Sequence, residues 1–363
     1  MPPFRKEKLF VAMSGGVDSL TAAALALEQG FDVTGIHFFT GFEPPGTKDQ
    51  YQEALSSAAE CIGIGLVTVN LSFDFARLVA TPFVNAYAAG LTPNPCLLCN
   101  RRIKFGILLE KARQMGADRL ATGHYARLAT NEEGPMLYKG ADLSKDQSYF
   151  LALAGPERLA KASFPLGMLT KEKVRKMAQE RGILRFARSE SQDVCFVSDG
   201  SYKDFLEKMG VKSVPGPIVD PSGRVIGSHN GLCSYTIGQR RGINRPSTEP
   251  WFVRGVDVSS NTLFVGRKSD LFSRGLIFDD AVWFGPEPKE SFRAFVRIRY
   301  RSKETSCLVE PLGNGRARVL FDEPQKAVTP GQGAVLYEGD RVLGGGTIAE
   351  TVEEAENAKE TKR

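Results

Sequence analysis

The sequence predicts an α/β protein in which a parallel sheet is followed by a small β-rich unit and then by a β-barrel. Two textures carry this expectation. Up to about residue 192, β-branched and apolar runs alternate with segments whose apolar residues recur at helical spacing, as strands joined by crossover helices do. Beyond Gly210 the chain becomes dense in glycine and proline, and its apolar runs shorten and alternate with period two. The 363 residues also exceed the roughly 100–200 of one domain. The expected units are 1–199, 200–272 and 273–351, with a charged tail at 352–363.

The first expected strand, 9–13, is the run Leu9-Phe10-Val11-Ala12-Met13, and the Ala- and Leu-rich stretch 21–27 behind it reads as a helix. Further strands at 32–39, 65–70 and 119–122 are separated by 51–62, 73–89 and 103–116, which carry helical spacing. A last helix is expected over 171–182, with Thr170 at its start. Val214-Pro215-Gly216-Pro217 opens the β-rich middle unit, and a second boundary falls near 267–275. Strands of a small barrel follow at 291–300, 305–310, 316–321 and 334–337, with Glu338-Gly339-Asp340 as a hairpin turn. From Glu350 onward the chain is charged without apolar spacing, which predicts disorder.

Composition narrows the class. With 47 basic and 42 acidic residues the net charge is +5, so a nucleic-acid surface has to come from local clustering. There is no run of about 18 apolar residues and no signal-type N-terminus. A soluble, cytoplasmic protein without membrane contact is expected, and a monomer. Six cysteines in so long a chain are no disulfide scaffold, and their uneven placement suggests catalysis or metal binding.

Ser14-Gly15-Gly16-Val17-Asp18-Ser19 lies on the turn between the first strand and the first helix, at the carboxyl end of the strand, where open α/β sheets bind ligands. Gly15 and Gly16 allow close backbone approach, and the free N–H groups of the helix start favour an anion. Ser14 and Ser19 add hydroxyl donors, and Asp18 offers a carboxylate for Mg2+. A Walker A loop ends in Gly-Lys-Ser/Thr, and no lysine stands in or beside this turn. The six residues resemble instead the SGGxDS loop of the PP-loop enzymes, which split ATP between its α- and β-phosphates to adenylate an oxygen.

Cys96 and Cys99 form a CxxC within Thr92-Pro93-Asn94-Pro95-Cys96-Leu97-Leu98-Cys99-Asn100, read as a stiff loop between two helices. Arg101, Arg102 and Lys104 follow, and their charge is expected to lower the thiol pKa. Cys195 is a third candidate. Cys61 and Cys307 read as packed core thiols, and Cys233 is left undecided. No second CxxC or His pair completes a zinc set. Two readings stay open: a sulfur-handling pair of one loop cysteine with Cys195, or an iron-sulfur cluster on Cys96, Cys99 and Cys195 with one iron free.

Residues 292–301 alternate, with Phe292, Ala294, Val296, Ile298 and Tyr300 on one face and Arg293, Phe295, Arg297, Arg299 and Arg301 on the other. Four arginines around one aromatic are expected to suit an RNA backbone. Arg240-Arg241-Gly242 is a second basic candidate. His124, after strand 119–122 and next to Gly123, is placed at the nucleotide side of the sheet.

Together these segments resemble the bacterial tRNA-specific 2-thiouridylases, over about 9–350. The likeness rests on 12–19, on Thr92-Pro93-Asn94-Pro95 with Cys99-Asn100 and Lys104-Phe105, and on Ala121-Thr122-Gly123-His124-Tyr125. It continues in Lys145-Asp146-Gln147-Ser148-Tyr149-Phe150, Cys195-Phe196, Thr236-Ile237-Gly238-Gln239-Arg240 and Ala327-Val328-Thr329-Pro330-Gly331-Gln332. It implies a PP-loop, adenine nucleotide alpha hydrolase-like fold and a reaction on the wobble uridine of tRNA. ATP adenylates the C2 oxygen, persulfide sulfur displaces AMP, and a sulfur-donor protein supplies the sulfur.

The resemblance carries roles over residue by residue. Cys99 matches the nucleophile and Cys195 the persulfide carrier, a pair that can also form a disulfide. Ala12, Met13, Ser14, Gly15, Gly16, Val17, Asp18, Ser19, Phe38 and Gly123 match the ATP site. Asn94, Pro95, Cys96, His124, Lys145, Asp146, Gln147, Arg299, Tyr300 and Gln332 match tRNA contacts. Many members have aspartate where this chain has Cys96; others have cysteine, a subtype suited to a [4Fe-4S] cluster on Cys96, Cys99 and Cys195. Two rivals remain: another AMP-forming PP-loop ligase or amidotransferase, and a non-catalytic RNA-binding iron-sulfur carrier.

Overall fold

A computed structural model describes residues 5–132, 134–188, 194–197 and 202–353; most of the expected charged tail lies outside them. The N-terminal part is a five-stranded parallel sheet in the order Gly65–Asn70, Asp32–Phe39, Lys8–Ala12, Arg119–Ala121, Ala162–Ser163. Leu9 and Val11 pack on one side of the sheet and Phe10 on the other, all buried. Burial on both faces is why this strand reads as a continuous apolar run. The chain leaves Lys8–Ala12 for one neighbour and later returns to the other. The order therefore reverses at this strand, opening a crevice between the ends of Lys8–Ala12 and Arg119–Ala121.

The expected helices are present with shifted bounds. Helix Val17–Glu28 starts within the glycine loop, and Lys48–Ile62 ends on Gly63 in the left-handed conformation. Lys171–Glu180 has Thr170 as N-cap, its side chain accepting from the Lys173 N–H at 3.3 Å. The stretch expected over 73–89 runs as Ser72–Phe75, a π-helical segment Ala76–Ala80 and Thr81–Ala88. The helix expected from Ile103 begins instead at Pro95. It runs as Pro95–Leu98, π-helical Cys99–Leu108 and Leu109–Gln114, with a kink at Gly106. Asn94 caps it by accepting from the Cys96 N–H at 3.1 Å, and Pro95 occupies the position where a missing N–H costs nothing. The CxxC therefore lies in a helical first turn, not in an interhelical loop.

The middle unit is a four-stranded sheet ordered Phe252–Asp257, Thr262–Gly266, Gly216–Val219, Val225–His229 around Ile218, Ile243, Val253, Leu263 and Val265. The last sheet contains Phe272–Trp283, Arg316–Lys326, Thr305–Gly313, Phe292–Arg297, Gly333–Glu338 and Arg341–Val352. Phe272–Trp283 also pairs with Arg341–Val352, closing these six into a barrel, and Gly339 and Asp340 make the expected hairpin turn. The α/β sheet followed by a β-rich unit and a barrel is thus the observed architecture. Among the described residues no helix is long and apolar enough to cross a membrane.

The sequence reading missed a hairpin, Ala126–Asn131 with Gly134–Lys139, which leaves the N-terminal part and adds to the barrel sheet beside Arg341–Val352. It is locked there by Lys139, whose Nζ donates to Glu304 at 2.9 Å and to the Gly339 carbonyl at 2.8 Å. Nearby, Arg297 donates to Asp146 at 3.1 Å and to Glu304 at 2.7 Å. Asp146 is 2% exposed and also accepts from the N–H groups of Gly140 and Ser148.

Because Asp146 is buried, removing Arg297 strands its charge. Arg297→Met is expected to cost about 3–5 kcal/mol in urea unfolding, well beyond the effect of an exposed substitution such as Arg301→Met; equal midpoints would contradict this.

Candidate functional site

The glycine loop fills the crevice. Gly15 has φ +76°, a conformation that favours glycine. Gly16 is the N-cap of helix Val17–Glu28 and supplies no side-chain cap, so the first helical N–H groups are left for a ligand. Ser14 and Ser19 close the loop: the Ser14 N–H donates to Ser19 Oγ at 3.1 Å, and Ser19 Oγ donates to the Gly16 carbonyl at 2.9 Å. Tyr51 donates its hydroxyl to the Ser14 carbonyl. Met13 is held by its N–H on the Ile36 carbonyl at 2.9 Å, while Ala12 and Phe38 are half-buried on adjacent strands. Val17 is buried under the loop.

Gly123, at the end of the neighbouring strand, meets this loop backbone to backbone. A Cβ there would come to 2.7 Å from the Asp18 carbonyl carbon and 2.8 Å from the Ser19 nitrogen, far inside van der Waals contact. Tyr125, two residues on, donates to Asp18 at 2.7 Å. Lys171 donates to both Asp18 oxygens at 2.8 Å from a position 8% exposed. Sequence reasoning missed this lysine because 152 residues of chain lie between the pair. One signal existed: a lysine in the first turn of a helix opposes the macrodipole, an unfavourable place unless an anion faces it.

Cys96 and Cys195 are exposed residues, Cys99 is half-buried, and all three are free thiols. Each thiol is nonetheless crowded by surrounding protein. Burial pushes the thiols up, to about 11 for Cys96 and about 12 for Cys99, and raises Cys195 as well. This reverses the expectation of lowered values. Lys104 is the basic residue whose charge opposes the shift at all three sulfurs, and it falls short of the desolvation cost.

The π-helical turn explains why Lys104 acts there. Five residues along an α-helix leave side chains roughly 140° apart, whereas an i→i+5 hydrogen-bonded turn stacks residue i+5 close to residue i. Lys104 is thereby carried to the side of Cys99. Its Nζ lies 3.4 Å from His124 Nε2, and His124 Nδ1 lies 2.6 Å from Thr122 Oγ1. An ammonium only donates, so Nε2 accepts and the imidazole proton sits on Nδ1. Burial, with the Lys104 charge adding, holds His124 well below its usual pKa, so it stays neutral. Phe196 anchors Cys195 among Phe75, Phe83, Phe205 and Phe42 at ring distances of 5.3 to 5.9 Å.

The residues matched to tRNA contacts divide into two groups. Cys96 is exposed, and Asn94, Lys145 and Tyr300 are half-exposed, the Tyr300 ring lying tilted against Phe150 at 4.3 Å. Pro95, His124 and Asp146 are buried. Gln147 accepts from the Tyr125 N–H at 3.0 Å, and Gln332 donates to the Thr92 carbonyl at 2.8 Å. Arg299 donates through Nη2 to the Ile237 and Ala327 carbonyls at 3.1 and 2.7 Å and to Thr329.

The expected open arginine face is therefore corrected. Arg297 and Arg299 are inward joints and Arg293 pairs with Asp322, leaving Arg301 exposed. Arg240 and Arg241 are exposed. Cys61 is exposed as well, because the buried face of its helix is Leu55, Ala58 and Ala59; Cys307 is buried as expected, and so is Cys233.

Cys96, Cys99 and Cys195 sense one another's charge. Yet among the described residues no three Cys, His, Asp or Glu side chains converge as a metal-holding group. The [4Fe-4S] ligand set is not assembled in this conformation. A cleft of about 570 Å3 bordered by Arg5, Lys6, Lys8 and Asp32 lies at the opposite end of the strands and contains none of these groups.

Comparison with known proteins gives three consecutive family matches. They are a tRNA methyl transferase HUP domain over 7–199, a tRNA methyl transferase PRC-barrel domain over 203–267 and an aminomethyltransferase β-barrel domain over 273–348. The tRNA-specific 2-thiouridylase MnmA of Geobacter metallireducens is 45% identical over 357 residues, 94% of this chain and 97% of the relative. That of Geotalea uraniireducens is 43% identical over 362 residues, 96% of each chain. A distant likeness, at 19% identity and TM-score 0.35, is the U34-tRNA thiolase NcsA from Methanococcus maripaludis with its [4Fe-4S] cluster, covering 56% of this chain and 65% of that one.

Gly123→Ala forces the loop backbone away and is expected to weaken ATP binding by about 5- to 150-fold, the cost of overpacking by about 1–3 kcal/mol; calorimetric titration reads it, and unchanged affinity would contradict it. Raised thiol pKa values mean protonated thiols at neutral pH. Alkylation of Cys96 should therefore climb about tenfold per pH unit from pH 7 to 10. A plateau by pH 9, followed by mass spectrometry, would contradict the burial effect.

Proposed function

The chain belongs to the tRNA-specific 2-thiouridylases, and from that premise we propose how its residues divide the work of ATP-dependent thiolation of a tRNA uridine, the wobble uridine in this reading. The observation that carries the proposal is the shared crevice: Gly123, His124 and Tyr125 contact the ATP loop on one side and the cysteine helix on the other. The methyl transferase wording of two family descriptions fits less well, since the loop is suited to phosphates and full-length relatives are named for thiolation.

Residues 12–19, Phe38 and Gly123 bind ATP, with the N–H groups ahead of helix Val17–Glu28 facing its phosphates. Asp18 would hold Mg2+, which withdraws charge from the phosphates; its carboxylate, fixed in place by Lys171 and Tyr125, is a suitable oxygen ligand. The uridine C2 oxygen attacks the α-phosphorus and pyrophosphate leaves. The terminal sulfur of a Cys195 persulfide then attacks C2 and AMP leaves. Cys99 attacks the Cys195 sulfur, which releases 2-thiouridine and leaves a Cys99–Cys195 disulfide for an external thiol to reduce. Exposure of Cys195 supports its being the thiol a sulfur-donor protein reaches.

Lys104, with neutral His124 behind it, offsets the negative charge of whichever thiolate forms. Asn94, Cys96, Lys145 and Tyr300 meet the tRNA. His124, Asp146, Gln147, Arg299 and Gln332 support that surface, their side chains being engaged internally. In this division 1–199 performs the chemistry, while 200–272 and 273–351 present the tRNA.

A second reading keeps Cys96, Cys99 and Cys195 as ligands of a [4Fe-4S] cluster. Mutual charge coupling of the three thiols favours it, and their lack of convergence counts against it. Anaerobic purification with iron and sulfide analysis separates the two: a colourless, iron-free, active enzyme leaves the persulfide route.

Incubation with unmodified tRNA, ATP, Mg2+ and a sulfur donor is expected to yield 2-thiouridine with one AMP per modified base. Cys99→Ser should abolish the product while AMP formation persists. Pyrophosphate release that ignores tRNA would point to a small-molecule ligase, and no AMP under any condition to a non-catalytic carrier.

A further inference from the structure

Arg188 takes no part in the roles above, yet it lies against the ATP loop. Its backbone N–H donates to the Gly15 carbonyl at 2.9 Å, and the two segments form a parallel bridge at Gly16. Its guanidinium sits 4.2 Å from the centroid of the Tyr51 ring, and Tyr51 in turn donates to the Ser14 carbonyl. A Cβ on Gly15 would lie 3.5 Å from both Arg188 Cδ and the Tyr51 hydroxyl, so backbone, ring and side chain form one wall of the loop.

Charge bookkeeping distinguishes Arg188 from its neighbours. Lys171 is committed to both oxygens of Asp18, and Arg181 to Glu28 at 2.6 and 2.7 Å. Among the described residues no carboxylate pairs with Arg188, and its side chain is exposed. A triphosphate needs cations, and the loop itself brings none. The Arg188 guanidinium also hydrogen-bonds Tyr51, and the remaining donors of its five match the oxygens of a phosphate in a two-pronged fashion.

We infer that Arg188 is a substrate-binding residue that grips the β- and γ-phosphates of ATP, and the pyrophosphate they become, across the mouth of the 14–19 loop. The inference deepens the ATP-site reading and rests on it. It assigns to a distant arginine the outer-phosphate contact that a lysine within the loop makes in a Walker A motif. Since the bridge to Gly15 is made by the backbone, replacing the side chain leaves the strap in place.

Calorimetric titration of the full chain with Mg-ATP, pyrophosphate and AMP, for wild type, Arg188→Gln and Arg188→Lys, tests it. Arg188→Gln is expected to weaken ATP and pyrophosphate about tenfold, one charge-assisted contact, while AMP stays within about twofold and the melting temperature is kept. Arg188→Lys should recover part of the loss. Unchanged ATP affinity, or equal losses for ATP and AMP, would overturn the assignment. A wild-type chain that binds no ATP would overturn the parent reading along with it.

Discussion

Everything in this site depends on one close approach, that of Gly123 to the backbone of Asp18 and Ser19. With any Cβ at 123 the two strand ends could not close on each other, since 2.7 Å separates that position from a peptide carbon. The closure has a simple topological origin. Lys8–Ala12 has neighbours entered from opposite directions of the chain, so its end and that of Arg119–Ala121 frame a gap that side chains from either connection can enter.

Three consecutive residues exploit that gap. Gly123 packs the phosphate loop, His124 holds Lys104 on the cysteine helix, and Tyr125 holds Asp18. Their successors extend the same line: Gln147 pairs with the Tyr125 backbone, and Asp146 bonds to Arg297 in the barrel. A short segment thus connects the glycine loop, the cysteine helix and the barrel. Because these bonds are partly buried, solvent competes with each of them less than at an open surface.

Desolvation governs the electrostatics. It keeps His124 neutral and so keeps its Nε2 able to accept from Lys104, and it keeps the thiols protonated despite that lysine. Protonated thiols resist adventitious oxidation better than thiolates do. The protonation of these sulfurs is therefore set by their surroundings rather than by the CxxC spacing, which in isolation suggested lowered values.

Period and composition determined the parallel strands, the helices between them, the change to β structure after Gly210 and the glycine turn at 14–19, because apolar spacing and glycine conformations are local properties. The cysteine set and the loop residues were likewise readable as types at positions. Only the tertiary structure decided the partners. Lys171 met Asp18, Arg297 met Asp146, and the hairpin Ala126–Asn131 with Gly134–Lys139 joined the barrel, since such pairings follow from topology rather than spacing. The π-helical register that turns Lys104 toward Cys99 was equally hidden, as one extra residue in a turn leaves no periodic trace in so short a stretch. Burial, which reversed the thiol pKa values, is a sum over neighbours brought from the whole chain, and no local pattern encodes it.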